Sequence, residues 1–283
     1  MSHWLTDELH VSLSPTQVAI VQVRRSLSVR GIKREVVLRE SVECHSDPLG
    51  IIWAGALQAL DNLLSLYVVD QPNVILVLSN NFVRYALVPW SDLISSDDQQ
   101  LTYARHCFHV TYGAISANWQ IRLSRSTVGA PQIASAIDDK LFLECNEVVK
   151  RNGLRLVSLQ PYLMSAFNRF KLQLQNLNAW FALVEPGCIC LTQLEQGKWV
   201  RLRTARLVNG WEEISRFLLR ETLMGNGEIR DEEQVLYLYA PHLGHTQTIK
   251  GWQIIGLPDP LPFIFTEEKN SSLVMALSGT ING

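Results

Sequence analysis

The alternation of apolar and polar residues divides the first part of the chain into strands and one long helix. Three opening strands are predicted over residues 9–14, 17–25 and 34–43. Residues 49–67 predict a helix, whose apolar face would consist of Ile51, Ile52, Leu57, Leu60, Leu63 and Leu64. The continuous apolar run 73–78 predicts a buried strand, and a further strand is predicted over 82–90.

The middle of the chain has a different order of elements. Ser96 and the two aspartates that follow it predict the start of a helix over 97–112. Further strands are predicted over 118–124, 132–138 and 154–159, and further helices over 139–152 and 161–172. This part of the chain therefore has helices and strands in alternation.

The last third begins again with three strands, predicted over residues 180–184, 188–195 and 198–207. A helix over 211–224 follows, then strands over 235–239 and 252–255. A proline-rich loop at 258–262 and a short helix from residue 271 complete the predicted elements.

A strand-turn-strand pattern occurs twice. The first turn is Ser14-Pro15-Thr16-Gln17 and the second is Glu185-Pro186-Gly187-Cys188, each between two apolar strands. In both parts of the chain three strands are followed by a helix and another strand. The repetition predicts a duplicated architecture.

Composition limits the class of protein. The 283 residues suffice for two domains, and 47% apolar with 18% charged residues is typical of a globular protein. A net charge of -2 provides no general attraction to nucleic acid. Five cysteines without regular spacing favour a reducing compartment. The sequence contains neither a bilayer-spanning apolar run nor the pattern of a signal peptide, so we expect a cytoplasmic protein.

This order of elements, together with the segment from Asn80 to Pro89, resembles the actin-like ATPase superfamily. Within it the sequence is most similar to the PilM, MSHA-biogenesis and GspL cytoplasmic-domain proteins of type IV pilus and type II secretion systems. The resemblance implies an α/β, actin-like (ribonuclease H-like) duplicated two-lobed fold with an inserted small α+β subdomain. The implied first lobe is 1–92 with 154–178, the insert 93–153 and the second lobe 179–283.

The resemblance also implies where a nucleotide would bind. Active members of the superfamily have an acidic residue and small residues at the two turns, which hold Mg²⁺ and the phosphates. The corresponding positions are Ser14, Thr16, Glu185 and Gly187, and Gly279 within Ser278-Gly279-Thr280 would be on the adenine side.

Both turns depart from the pattern of an active site. The first turn contains neither an acid nor a glycine, and a proline in each turn removes a backbone donor. We therefore expect a degenerate site, in which ATP and Mg²⁺ are disfavoured and no residue is catalytic or binds a metal. A retained but altered nucleotide pocket is the alternative. The sequence leaves enzymatic activity open and favours its absence.

The resemblance implies a non-catalytic cytoplasmic scaffold, a pseudo-ATPase in pilus or secretion-platform assembly. Its partner would be a PilN-like bitopic inner-membrane protein, and contact with the membrane would occur only through that partner. Peripheral location at the inner membrane and self-association are left open. The alternative function is an active ATPase or kinase, in which Glu185 would hold metal-bound water while Ser14 and Thr16 contact phosphate.

Two further groups of residues have simpler explanations. The strand from Lys198 to Arg206 is basic, which favours a solvated face, with a docking face for an acidic partner as the alternative. Nucleic acid is not expected as a partner, because no aromatic residues interleave with a wider basic patch. Cys188 and Cys190 share one strand face and are expected in the core. An enzyme that uses the histidines is a third function, which no motif supports.

Overall fold

The computed structural model describes residues 6–28, 31–45, 50–208, 210–224, 234–243, 247–259 and 270–279. The strands are β1 Glu8–Leu13, β2 Gln17–Ser28, β3 Gly31–Glu43, β4 Asn73–Leu78, β5 Val83–Val88, β6 Trp119–Leu123, β7 Gln132–Asp138, β8 Arg155–Pro161, β9 Ala179–Glu185, β10 Cys188–Glu195, β11 Lys198–Arg206, β12 Gln234–Tyr239 and β13 Trp252–Gly256. The helices are α1 Ala54–Tyr67, α2 Asp97–Tyr112, α3 Asp139–Arg151, α4 Tyr162–Leu174, α5 Gly210–Met224 and α6 Ser271–Ser278.

The chain forms two compact units. Unit 1 comprises the described residues of Met1–Val83, Ile137–Arg169 and Leu261–Gly283. Unit 2 comprises the described residues of Arg84–Ala136 and Phe170–Pro260. The boundary between the units therefore crosses α4, between Arg169 and Phe170.

Both units contain a five-stranded sheet with the same topology. In unit 1 the strand order is β3-β2-β1-β4-β8, and in unit 2 it is β11-β10-β9-β12-β13. The first three strands of each sheet pair antiparallel, and the remaining strands run parallel to the third, central one. The predicted duplication is thus present in the strand pairing.

A third sheet has the order β5-β7-β6. Strands β6 and β7 lie within the predicted insert 93–153, whereas β5 lies within the predicted first lobe. Helix α2 packs on this sheet through Ala104 and Phe108, which contact Val88, Ile121 and Ala134. The rings of Phe108, Tyr112 and Trp119 lie next to one another, with centroids 5.1 to 6.0 Å apart. Ser96 accepts a hydrogen bond from the Gln99 amide and caps α2, as its position in the sequence predicts.

The start of the first helix differs from the prediction. The first helix was predicted from residue 49, but α1 begins at Ala54. Gly50 has a φ of +76°, which a continuous right-handed helix excludes. Residue 49 and most of the proline-rich loop at 258–262 lie outside the described residues.

Two helices group differently from the predicted lobes. Helix α3 lies within the predicted insert 93–153, and α6 lies within the predicted second lobe 179–283. In the structure both belong to unit 1, where α3 contacts α1 and β8 while α6 contacts β1, β2 and β4. The predicted domain boundaries themselves stay a prediction.

Helices cover both faces of the unit 1 sheet. Leu273, Ala276 and Leu277 of α6 pack on Ala19 and Val21 of β2. The alternate residues of β2 point to the other face and are also buried, and α1 and α3 pack on the sheet as well. In unit 2, Ile214 and Leu218 of α5 pack on one sheet face. Phe170 of α4 contacts Phe181, which points to the opposite face.

The α6-facing side of β1 contains a buried polar row that the sequence pattern did not predict. Glu8, His10 and Ser12 alternate with leucine and valine, and all three side chains are buried. The Nε2 atom of His10 lies 3.3 Å from a Glu8 carboxylate oxygen, and an Arg25 guanidinium nitrogen lies 2.5 Å from the other. Burial acts to raise the pKa of Glu8, but the hydrogen bond and charge of His10 and the charge of Arg25 outweigh it and lower the pKa.

Replacement of Glu8 by Gln should therefore destabilise the protein at neutral pH. A lowered folded-state pKa means that ionised Glu8 contributes stability above its unfolded-state pKa, and this is lost as pH falls through the folded-state pKa. We expect a loss of about 1–3 kcal/mol at pH 7 and a smaller loss at pH 3, measured by urea unfolding across this range.

Glu35→Gln is the matched control, because the Glu35 carboxylate is also paired, 3.3 Å from Lys33, but is 60% exposed. Its effect should stay within about 0.5 kcal/mol at every pH. Equal pH profiles for Glu8→Gln and the unsubstituted chain would contradict the role of Glu8.

Candidate functional site

The first candidate turn is closed by its own side chain. The Ser14 hydroxyl donates a hydrogen bond to the Gln17 carbonyl (2.8 Å) and accepts one from the Gln17 amide (3.0 Å). The Ser14 amide also donates to the Gln17 carbonyl, at 3.1 Å. These bonds form a local turn of the kind that serine favours. Ser14 therefore stabilises the hairpin and has its hydroxyl engaged in it.

Little of the first turn remains to hold a phosphate. Pro15 has no amide hydrogen, and the amides of Ser14 and Gln17 are used within the turn. Thr16 is exposed, and its carbonyl accepts a hydrogen bond from the Cys44 amide at 2.8 Å. Among the backbone amides of this turn, that of Thr16 is the one not used within it, so an anion would meet one backbone amide rather than a nest of several.

The second candidate turn is a two-residue hairpin connection. Glu185 pairs with Cys188, and Gly187 between them has a φ of +84°. Proline followed by a left-handed glycine is typical of a type II turn. The Gly187 carbonyl accepts a hydrogen bond from the Leu207 amide at 3.1 Å. Gly187 is thus required by the turn itself, whatever binds there.

Glu185 is a buried acid, with 5% of its surface exposed. It lies close to the thiols that follow it in β10. The pKa of Cys190 is raised above its ordinary value first by burial, then by its hydrogen bond with Cys188, and further by the charges of Cys188 and Glu185. The Glu185 carboxylate therefore belongs to the interior of unit 2.

Gly279 lies against the unit 1 sheet. A β-carbon at this position would be 2.7 Å from Val77 Cγ2 and 3.0 Å from Ile75 Cγ2. Its carbonyl accepts a hydrogen bond from the Gln160 side chain at 3.4 Å. Glycine at this position thus permits close packing on β4. Thr280, which follows it, lies outside the described residues.

Ser278 joins the end of α6 to α4. Its hydroxyl lies 2.8 Å from the Ser165 hydroxyl, and its carbonyl accepts a hydrogen bond from Arg169 Nε at 3.2 Å. A cation at the carboxyl end of a helix also interacts favourably with the helix dipole. The segment around Gly279 is therefore held in place by contacts within unit 1.

We expect Gly279→Ala to lower the free energy of unfolding by about 1–3 kcal/mol, because the new methyl group would overlap Val77. The loss should be smaller in a Val77→Ala background, where the opposing methyl groups are absent. Urea unfolding of the four combinations measures both effects. An equal loss in both backgrounds would show that Val77 is not the opposing group.

The structure places three of the five predicted positions in unit 1 and two in unit 2. Ser14 and Thr16 follow β1, and Gly279 packs on the neighbouring strand β4. Glu185 and Gly187 form the corresponding turn of the unit 2 sheet.

Other kinds of site, such as a metal site or one that uses the histidines, have few supporting contacts among the described residues. No group of three or more metal-binding side chains occurs in the described parts of the chain, and the five cysteines are free thiols. Burial lowers the pKa of His242. No helix within the described ranges is long and apolar enough to cross a membrane.

The basic strand β11 is partly explained by α5. A guanidinium nitrogen of Arg201 lies 3.7 Å from Glu221 Oε2, and Arg203 Nε lies 3.9 Å from the same atom. Glu221 is buried, so the two arginines neutralise an interior charge. The sequence contained the arginine alternation, but nothing in it pointed to Glu221.

Comparison with solved structures finds similar folds at low sequence identity, whereas no family model and no curated protein matches the chain. The cytoplasmic domain of EpsL, an inner-membrane component of the type II secretion system of Vibrio cholerae, is 11% identical. That likeness covers 97% of this chain and 94% of the EpsL domain, with a TM-score of 0.55.

Two further structures are similar. A protein of unknown function with an actin-like ATPase fold, from Bacteroides thetaiotaomicron, is 12% identical over 99% of this chain and 100% of its own, with a TM-score of 0.58. The PilM-PilN type IV pilus biogenesis complex contains a chain 14% identical over 82% of this chain and 81% of that one, with a TM-score of 0.57. The chain thus has the actin-like fold, and the predicted fold class and resemblance are confirmed.

Proposed function

We propose that this chain is a non-catalytic, actin-like cytoplasmic scaffold in the assembly of a type IV pilus or a type II secretion platform. The observation that carries the proposal is the likeness, over most of the chain, to the EpsL cytoplasmic domain and to the PilM-PilN complex. The partner would be a PilN-like bitopic inner-membrane protein, whose cytoplasmic segment binds this chain. Contact with the membrane would occur through that partner.

The geometry of the turns supports the non-catalytic part of the proposal. A nucleoside triphosphate with Mg²⁺ needs several converging amides and a reachable carboxylate. Here Ser14 is engaged in its own turn, Pro15 has no amide hydrogen, and Glu185 is buried. The residues at the family's positions thus do not fit a Mg-nucleotide, and we assign no reaction step to it.

An active ATPase or kinase of the same fold is the second candidate. Glu185 and the left-handed Gly187 favour it, because they retain an acid and a glycine at the second turn. The two candidates differ in whether a nucleotide binds, so one measurement separates them.

Addition of Mg-ATP at millimolar concentration should change the melting temperature by less than about 1 °C, since a ligand that does not bind the folded state cannot stabilise it. Differential scanning fluorimetry of the unsubstituted chain, Thr16→Ala and Glu185→Ala measures this. Thr16→Ala removes the exposed hydroxyl of the first turn. A rise of several degrees that either substitution abolishes would establish a nucleotide site and contradict the non-catalytic proposal.

The scaffold proposal also predicts a partner that binds without nucleotide. The probe is a synthetic peptide with the cytoplasmic segment of a PilN-like bitopic membrane protein from the same organism, and the control is the same peptide in scrambled order. Isothermal titration calorimetry should detect binding of the native peptide alone, with equal affinity with and without Mg-ATP. Equal binding of the scrambled peptide, or binding of neither, would contradict the proposal.

A further inference from the structure

Strand β11 is the terminal strand of the unit 2 sheet. It pairs with β10 on one side, and no other described strand pairs with its second side. A bulge interrupts the pairing between Gln193 and Leu194, after which Arg201–Arg206 pairs in regular register with Gln193–Cys188. The regular part spans about 20 Å and presents an edge of backbone donors and acceptors.

The charge of this edge has a single sign. Lys198, Arg201, Arg203 and Arg206 lie within the strand, which contains no carboxylate. The equivalent terminal strand of unit 1, β3, contains three basic and three acidic residues: Lys33, Arg34, Arg39, Glu35, Glu40 and Glu43. Charges of either sign protect an edge from aggregation. Protection from aggregation therefore does not require the single sign of charge that β11 has.

Part of this charge is held in a fixed position. Arg201 and Arg203 lie on the same strand face and both approach the buried carboxylate of Glu221, at 3.7 and 3.9 Å. Arg203 is still 55% exposed at its side chain, and Arg206 is exposed. Cations that are already positioned lose less conformational entropy when a ligand binds.

The same charges oppose pairing between copies of this chain through β11. Two β11 strands placed side by side would bring arginines near arginines, with no carboxylate in either strand to compensate. An extended segment with acidic side chains at alternate positions would instead meet Arg201 and Arg203 on one face of the sheet, and Arg206 lies on the other face. The edge thus disfavours its own copy and favours a different, acidic partner.

We propose that the edge of β11 from Arg201 to Arg206 binds an extended acidic segment of a partner protein by strand addition. Backbone hydrogen bonds along the edge provide affinity, and the arginines select acidic side chains. The inference does not depend on the proposed scaffold function, since it rests on the edge and its charge.

The probe is a fluorescein-labelled eight-residue peptide of alternating valine and glutamate. Arg203→Gln with Arg206→Glu removes charge from the edge and leaves Arg201 beside Glu221. Lys33→Gln with Arg34→Glu on β3 is the matched control, because it changes the net charge by the same amount on the equivalent edge. Thermal unfolding first establishes that both double variants are folded.

Fluorescence anisotropy should show that the β11 variant binds the peptide about fivefold more weakly or worse, while the β3 variant binds it unchanged. A peptide with an N-methyl group on every residue should lose binding, because neither of its edges then has an amide hydrogen to donate to a strand. A valine-lysine peptide should not bind.

Four outcomes would overturn the proposal. Equal weakening in both variants would mean a general charge effect, and equal binding of the N-methylated peptide would exclude strand addition. Full displacement of the peptide by a single-stranded oligonucleotide of equal charge would assign the edge to nucleic acid. A dimer of the unsubstituted chain that dissociates in the β11 variant, measured by analytical ultracentrifugation, would assign it to self-association.

Discussion

The burial of both faces of the central strands is the constraint on which the rest of the fold depends. Every residue of β1 and of β9 is buried, although β1 alternates polar and apolar side chains. A strand in this position needs helices on both sides of its sheet. In unit 1, α1 and α3 pack on the sheet, and α6, which is far from them in the sequence, also packs on β1, β2 and β4. Residues near the two ends of the described chain are therefore part of the same core.

The packing of α6 on the unit 1 sheet determines the contacts of the candidate residue Gly279. Because α6 ends directly on β4, Gly279 has Val77 and Ile75 against it. The start of α6 is held in the same way, since Ser272 donates to the Gln17 side chain at 2.5 Å and Asn270 donates to Ser41 at 2.9 Å. Gln17 thus joins the first turn to α6. Gly279, one of the positions predicted for a nucleotide, thus contributes to the packing of the unit 1 sheet.

The sequence predicted local features better than long-range ones. The strands, the two proline turns and the cap at Ser96 follow from patterns within a few residues, and the structure contains them. The assignment of α6 to unit 1 requires a contact between opposite ends of the chain, which no local pattern encodes. Glu8, His10 and Ser12 alternate as in a half-exposed strand, and only the helix above them makes them interior. The same holds for the candidate site: the missing glycine of the first turn was visible in the sequence, but the engagement of Ser14 and the burial of Glu185 were not.

The two sheets have the same topology, but they differ in the side chains of some corresponding strands. Their central strands obey the same burial constraint, so β1 and β9 differ mainly in the polar row of β1, where Arg25 and His10 lie beside the Glu8 carboxylate. The terminal strands β3 and β11 are partly exposed and carry no such constraint. One of them has a balanced charge and the other a purely basic one, joined to the interior through Glu221. Glu221 accounts for one positive charge of β11, and the remaining charge is better explained by what this edge contacts than by how the sheet is built.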